Sequence, residues 1–250
     1  LVSLITKKIS EVKGTVIIFD YHNDYTTLNI PNVNVIDAKI NPRLLEADQF
    51  SEVLEIRENA DVQQRVLRMS FTQEVKEAGE FWNKLEYEVD LLVNSEDKKL
   101  KEIRTSAYRV QDIIEDAQRR FDDILDPEVG NPMDYIKEGC TNIINISELS
   151  EKQANVAMGF YLQQLLKDRK NATIAKHGKS KKQKDYKFFE PVFIILEEAH
   201  VFIPKDHDTA AKYWAAKIAR EGRKFGVGLA IVSQRPRSVD LNILSQMGSF

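Results

Sequence analysis

Two adjacent carboxylates at the end of an apolar run are the residues of this sequence best placed to do chemistry. In Phe193-Ile194-Ile195-Leu196-Glu197-Glu198-Ala199-His200, four apolar residues deliver Glu197 and Glu198 where a buried strand would emerge at its carboxyl end. That is the edge at which open α/β sheets bind ligands. Acids beside an apolar core carry a desolvation cost unless a metal, a hydrogen-bond network or a reaction uses them. Phosphoryl chemistry suits such a pair: Glu197 orients a magnesium shell through water, and Glu198 polarises a water attacking a terminal phosphate. A strand ending in solvated acids is the plain alternative for the octapeptide taken alone. Downstream, another run ends in Ser233-Gln234-Arg235-Pro236. The Gln234 amide donates and accepts without adding charge, which suits contact with both a γ-phosphate and the attacking water. Asp20 closes a third run, Gly14-Thr15-Val16-Ile17-Ile18-Phe19-Asp20. Three strand ends offering polar side chains to one sheet edge argue for a nucleoside-triphosphate site.

A phosphate cradle of the form G-x-x-x-x-G-K-[ST] should stand between a strand and a helix, so that backbone N–H groups surround the phosphate. Gly178-Lys179-Ser180 fails this test, because Thr173 stands where the first glycine is required and no strand precedes it. The expected place for a cradle is just upstream of Leu1, with Leu1 to Ile9 as the rest of its helix. The segment Lys176 to Lys184 is a basic loop in a chain whose formal net charge is −3. Its Lys179, Lys181, Lys182 and Lys184 are candidates for contact with nucleic-acid phosphates, or simply a solvated surface run. Without an aromatic residue to stack on bases, such contact would be insensitive to sequence. Arg220 and Arg223, in Ile218-Ala219-Arg220-Glu221-Gly222-Arg223-Lys224-Phe225, either complement a helix dipole or reach a neighbouring subunit's γ-phosphate, Arg223 being preferred for that role. His22 and His200 read as hydrogen-bond partners of the acids, since no His/Cys spacing for zinc is present.

The elements that must position these residues follow from the hydrophobic pattern. The 250 residues are 42% hydrophobic and 30% charged, enough apolar material for a real core and no signature of low complexity. No apolar run approaches the roughly 20 residues of a membrane-spanning helix. The lone Cys140 fits a reducing, cytoplasmic compartment. Strands are expected at Gly14–Asp20, Val33–Asp37, Thr141–Ile146, Val192–Leu196 and Gly228–Ser233. A helix opens on the capping box Ser150-Glu151-Lys152-Gln153 and runs to about Lys170, and another spans about Thr209 to Lys224. Strands alternating with helices predict an α/β fold with a mostly parallel sheet covered on both faces. Residues 43–130 break the rhythm. There, Val75, Ala78, Trp82, Leu85, Val89 and Leu92 form one heptad-like seam. Leu100, Ile103, Ala107, Val110, Ile114, Ala117 and Phe121 form a second, across the polar break Asn94 to Asp97. This predicts an inserted antiparallel helical hairpin, serving packing or the docking of a partner.

The motifs Phe193–His200 (FIILEEAH), Ile218–Gly228 (IAREGRKFGVG), Ile231–Leu241 (IVSQRPRSVDL) and Gly14–Tyr25 (GTVIIFDYHNDY) resemble the HerA group of the HerA/FtsK ATPases. The resemblance implies a RecA-like P-loop NTPase core in two parts, residues 1–42 and 131–250, around the helical insertion at 43–130. It implies Walker B positions for Glu197 and Glu198, the sensor position for Gln234, the finger position for Arg220 or Arg223, and a nucleotide-binding shell holding Asp20 and His22. It further implies ATP and Mg²⁺ as ligands, a homohexamer working on double-stranded DNA, and a NurA-type nuclease partner in resecting double-strand breaks, as in archaea. The family's N-terminal barrel, Walker A lysine and C-terminal segment are not found in these residues. The alternatives are an FtsK-like or conjugation-type DNA pump, a metal-dependent nuclease using Asp20, Glu197 and Glu198, and a non-catalytic scaffold.

Overall fold

The computed structural model describes residues 1–27, 30, 32–57, 59–176 and 186–248. Among the described residues five strands make one parallel sheet: β1 (Thr15–Asp20), β2 (Val33–Asp37), β3 (Thr141–Asn145), β4 (Val192–Leu196) and β5 (Val227–Ile231), in the order β2-β3-β1-β4-β5. Helix α1 (Val2–Glu11) leads into β1. Between β2 and β3 come α2 (Ala47–Val53), α3 (Asp61–Ser70), α4 (Gln73–Glu77), α5 (Phe81–Val93), α6 (Lys98–Lys101) and α7 (Arg104–Arg120). Helix α8 (Glu151–Lys176) joins β3 to β4, α9 (Ala199–Phe202) and α10 (Ala210–Glu221) join β4 to β5, and α11 (Leu241–Leu244) follows β5. The chain divides into two compact units, Leu1–Ala38 with Pro132–Phe250, and Lys39–Asn131.

In the sheet unit, β1 is central and every one of its residues is buried. A strand covered on both faces can be apolar throughout, and the Val16-Ile17-Ile18-Phe19 run is fully buried. Ile18 lies in register with Ile143 of β3 and Ile195 of β4, and each such side chain contributes about 1.5–3 kcal/mol by leaving water. The outer strands β2 and β5 are less covered. After β1 the chain travels toward β2 and β3, whereas after β4 it travels to β5 on the other side. Two neighbouring strands that send the chain in opposite directions leave a crevice at their carboxyl ends.

The capping box at the start of α8 forms: Ser150 N donates to Gln153 Oε1 at 2.9 Å, and Gln153 N to Ser150 Oγ at 3.3 Å. The helix runs six residues past the expected Lys170, since Lys170 and Arg169 both find partners there. Lys170 Nζ donates to Glu221 Oε1 at 2.9 Å, and the buried Arg169 guanidinium donates to the carbonyls of Phe188, Phe189 and Phe225. Gly159 lets α8 and α10 approach closely, for a Cβ there would lie 2.8 Å from Ala210 Cβ. Helix α10 ends at Glu221, not Lys224, and Gly222–Phe225 continues as a 3-10 turn. Gly226 closes it at φ +69°, a left-handed conformation that glycine adopts without penalty. Strand β5 stops at Ile231, so Ser233 and Gln234 belong to the following turn.

In the unit 39–131, α5 and α7 pack antiparallel, with Gln118 of α7 donating to Glu86 of α5. The buried stripe of α7 is Ala107, Val110, Ile114 and Ala117, the expected seam. That of α5 is Phe81, Leu85, Val89 and Val93. Trp82 and Leu92, read as seam residues, are half-buried, and Val75 belongs to the separate α4. The reason is α3, which packs on both α5 and α7 and so widens the apolar stripe beyond a two-helix seam. Phe50, Phe71, Phe81 and Trp82 form an aromatic cluster here, with Phe50 and Phe71 centroids 4.6 Å apart. Among the described residues no helix is long and apolar enough to cross a membrane.

Candidate active site

Parallel register brings the acids together. Phe19 pairs with Leu196 across β1 and β4, so Asp20 and Glu197 are the next residues on neighbouring strand ends. Asp20 is fully buried, and its two carboxylate oxygens accept the backbone N–H groups of Asp24 at 3.1 Å and Tyr25 at 2.9 Å. Those bonds fold residues 21–25 back over the sheet edge. The Tyr25 hydroxyl then donates to Glu197 Oε1 at 2.6 Å. Glu197 is 7% exposed, and its other oxygen, Oε2, is buried with no hydrogen-bond partner. Burial pushes the Glu197 carboxyl above the usual carboxylate range, reinforced by the nearby Asp20 and Asp24 charges and opposed by the Tyr25 hydrogen bond. Burial and the same hydrogen bond push the Tyr25 phenol well above its ordinary value. A hard, buried, unpartnered carboxylate oxygen is a donor suited to the water shell of Mg²⁺, so the residues present fit the cation that the sequence motifs imply.

Glu198, also 7% exposed, sits at the β4-to-α9 turn with φ 44° and ψ 42°. For a non-glycine residue this left-handed conformation costs about 1–2 kcal/mol, and strain of this kind concentrates at functional turns. His200 Nδ1 lies 3.0 Å from Glu198 Oε2 and 3.1 Å from Ser233 Oγ. The histidine ring thus bridges the Glu198 carboxylate and the Ser233 hydroxyl. Ser233 Oγ in turn accepts the Arg235 N–H at 3.0 Å. The β4–β5 ladder also continues past both strands, from Val232 N to Leu196 O and from Ala199 N to Val232 O, each at 2.9 Å. The turn carrying Gln234 is thereby tied to the turn carrying Glu198. Gln234 itself is exposed. His22 Nε2 stands 3.9 Å from Glu198 Oε1 on a half-exposed ring, too far for a hydrogen bond. The amino end of α1 reaches the same edge, where Val2 shares an apolar cluster with Tyr25, Ile18 and Ile195.

Arg220 and Arg223 are not at this edge. Both are exposed, one in the last turn of α10 and the other in the 3-10 turn that feeds the amino end of β5. A parallel strand of this length, about 16 Å, separates them from the acids at the carboxyl ends. Lys179, Lys181, Lys182 and Lys184 lie outside the described residues. Among the described residues no group of three His, Cys, Asp or Glu side chains could hold a metal ion. Asp20, Glu197 and Glu198 therefore do not make the ligand cluster of a metal-dependent nuclease. Tyr25 is the residue that reading the sequence missed. The available signal was an aromatic side chain five positions after a strand-ending aspartate.

The family described as "Helicase HerA, central domain" matches residues 1–165 of the chain. Among similar proteins, the "DNA double-strand break repair helicase HerA" of Sulfurisphaera tokodaii is 42% identical over 98% of this chain and 50% of its own length. That of Sulfolobus acidocaldarius is 38% identical with the same coverages, and that of Pyrococcus furiosus is 32% identical over 99% of this chain and 52% of its own length. The chain thus spans about half the length of these relatives. VirB4 of Thermoanaerobacter pseudethanolicus shares the fold, with a TM-score of 0.56 at 16% identity over 94% of this chain and 67% of that one.

Proposed function

The chain belongs to the HerA helicase central-domain family, and from that premise we propose that it is the motor part of an ATP-driven DNA helicase or translocase acting in double-strand-break repair. The observation that carries this reading is the pair of buried acids on one sheet edge. One is held by a tyrosine with an oxygen left free, and the other is held by a histidine in a strained turn. When bound, Mg²⁺ would neutralise charge on the nucleotide phosphates. Glu197 would hold the shell of that ion through Oε2, its buried oxygen without a partner. Glu198 accepts the proton of the attacking water, and His200 fixes the carboxylate for that task. Gln234, on the turn tied to Glu198, senses the terminal phosphate. Asp20 and His22 complete the surroundings, Asp20 by shaping the 21–25 loop and His22 by standing beside Glu198.

The arginines at the amino edge cannot serve the acids of their own chain, which supports a ring in which Arg223 or Arg220 completes the site of a neighbouring subunit. We assign to the same reading a homohexamer on double-stranded DNA, a nuclease partner of the NurA type, and lysines 179, 181, 182 and 184 as backbone contacts. The VirB4 likeness favours a second reading, a DNA pump of the FtsK or conjugation type, but sequence kinship with HerA helicases favours the first. The test is Glu198→Gln in the full-length protein. ATP turnover is expected to fall about 10²–10⁴-fold with nucleotide binding retained and with wild-type turnover stimulated by duplex DNA. Unchanged turnover in the variant would remove Glu198 from the base role. Duplex transport without strand separation would favour the pump.

A further inference from the structure

The geometry assigns to Tyr25 the role of positioning residue for Glu197: its hydroxyl locks Oε1 so that Oε2 alone faces the magnesium shell. This rests on the nucleotide-site reading above and deepens it.

Three independent observations converge. The 2.6 Å distance is that of a short, charge-assisted O–H···O⁻ bond, which is stronger and more directional than a neutral one. The ring delivering that hydroxyl is wedged rather than free. Tyr25 is 9% exposed and belongs to one apolar cluster with Val2 of α1, Ile18 of β1, Ile143 of β3 and Ile195 of β4. Its backbone is held as well, since its own N–H and that of Asp24 are both bound by Asp20. The carboxylate it grips has a buried second oxygen that no protein group satisfies. A free carboxylate would turn to share its one donor between two oxygens, or swing toward solvent. Gripped at Oε1, it keeps a desolvated oxygen aimed at one place, which is pre-organisation for a ligand. Asp20 supports this arrangement through Tyr25, since both its oxygens are spent on the loop that carries the hydroxyl.

The test compares wild type with Tyr25→Phe, which keeps the ring and removes only the donor, in the full-length protein. Mn²⁺ binding is titrated by electron paramagnetic resonance in the presence of a non-hydrolysable ATP analogue. Outer partners of metal-binding groups are worth about 10–100-fold in metal affinity, so the half-saturating Mn²⁺ concentration is expected to rise by about that factor. Turnover should fall at low Mg²⁺ and recover at high Mg²⁺, with KM for ATP at saturating metal unchanged. A tyrosine that merely stabilised the loop would lower the melting temperature and the active fraction but leave the metal midpoint where it was. A midpoint within twofold of wild type overturns the assignment. If wild type itself binds no metal–nucleotide complex, the nucleotide-site reading fails instead. Should Tyr25→Phe not fold, Asp20→Asn, which loosens the loop but keeps the hydroxyl, carries the test by the same criterion.

Discussion

Replacing Glu197 by Gln should make the ligand-free protein more stable at neutral pH, the opposite of what removing a hydrogen-bonded buried side chain usually does. Glu197 is almost fully buried, and only Oε1 has a partner. A buried polar atom left unsatisfied costs about 1–3 kcal/mol, more when charged. The amide still accepts from Tyr25 at its oxygen and leaves a neutral N–H₂ in place of Oε2, so part of the cost stays. What disappears is the desolvated charge and its repulsion by Asp20 and Asp24. A net gain of about 1 kcal/mol raises the melting temperature by roughly 2–4 °C for a chain of this size. The pH dependence gives the sharper criterion. The folded carboxyl holds its proton more tightly than the unfolded one, so the folded state binds more protons just above the ordinary carboxylate range. Wild-type stability must therefore fall as pH rises through that window. Below it both states are neutral at this position, and variant and wild type should melt together. A series of calorimetric melts without nucleotide or divalent cation, run from below the ordinary carboxylate range upward, traces the window. A variant that melts no higher than wild type at the upper end of the series, or by the same margin throughout, would refute the reasoning that Glu197 is held charged at a cost for the sake of a ligand.

Two further outcomes test the scaffold and the assembly. Gly159→Ala should destabilise the sheet unit by about 1–3 kcal/mol despite alanine's better helix propensity, because its Cβ would sit 2.8 Å from Ala210 Cβ; a melting temperature at or above wild type would contradict the close α8–α10 approach. Arg223→Ala should lower turnover of the full-length protein about 10³-fold or more, and mixing it with Glu198→Gln should recover activity, since one subunit then supplies the arginine and its neighbour the glutamate. Recovery with Arg220→Ala but not Arg223→Ala would transfer the finger role to Arg220, and recovery with neither would remove the arginines from a site in trans.

The strands were legible because burial on both faces leaves a local mark: β1 and β4 are short apolar runs with no polar alternation, β3 is centred on the buried pair Ile143-Ile144, and each is found within a residue or two of its expected place. The Ser150–Gln153 capping box was legible for the same reason, as its bonds close within three residues. The seam on α5 was misplaced by a residue at each end because its outer positions depend on α3, which a two-helix pattern does not contain.

Local residue patterns thus mark which segments form strands, which residues are polar strand ends, and therefore that Asp20, Glu197 and Glu198 belong at carboxyl ends of a parallel sheet. It is the folded chain that makes β1 and β4 neighbours, lets a tyrosine 172 positions away grip Glu197, sets Glu198 in a left-handed turn, and leaves Arg220 and Arg223 at the opposite edge. Propensity and burial are properties of a few consecutive residues, whereas strand order and the reach of a side chain across it arise from the closing of long loops. No local pattern records that closure.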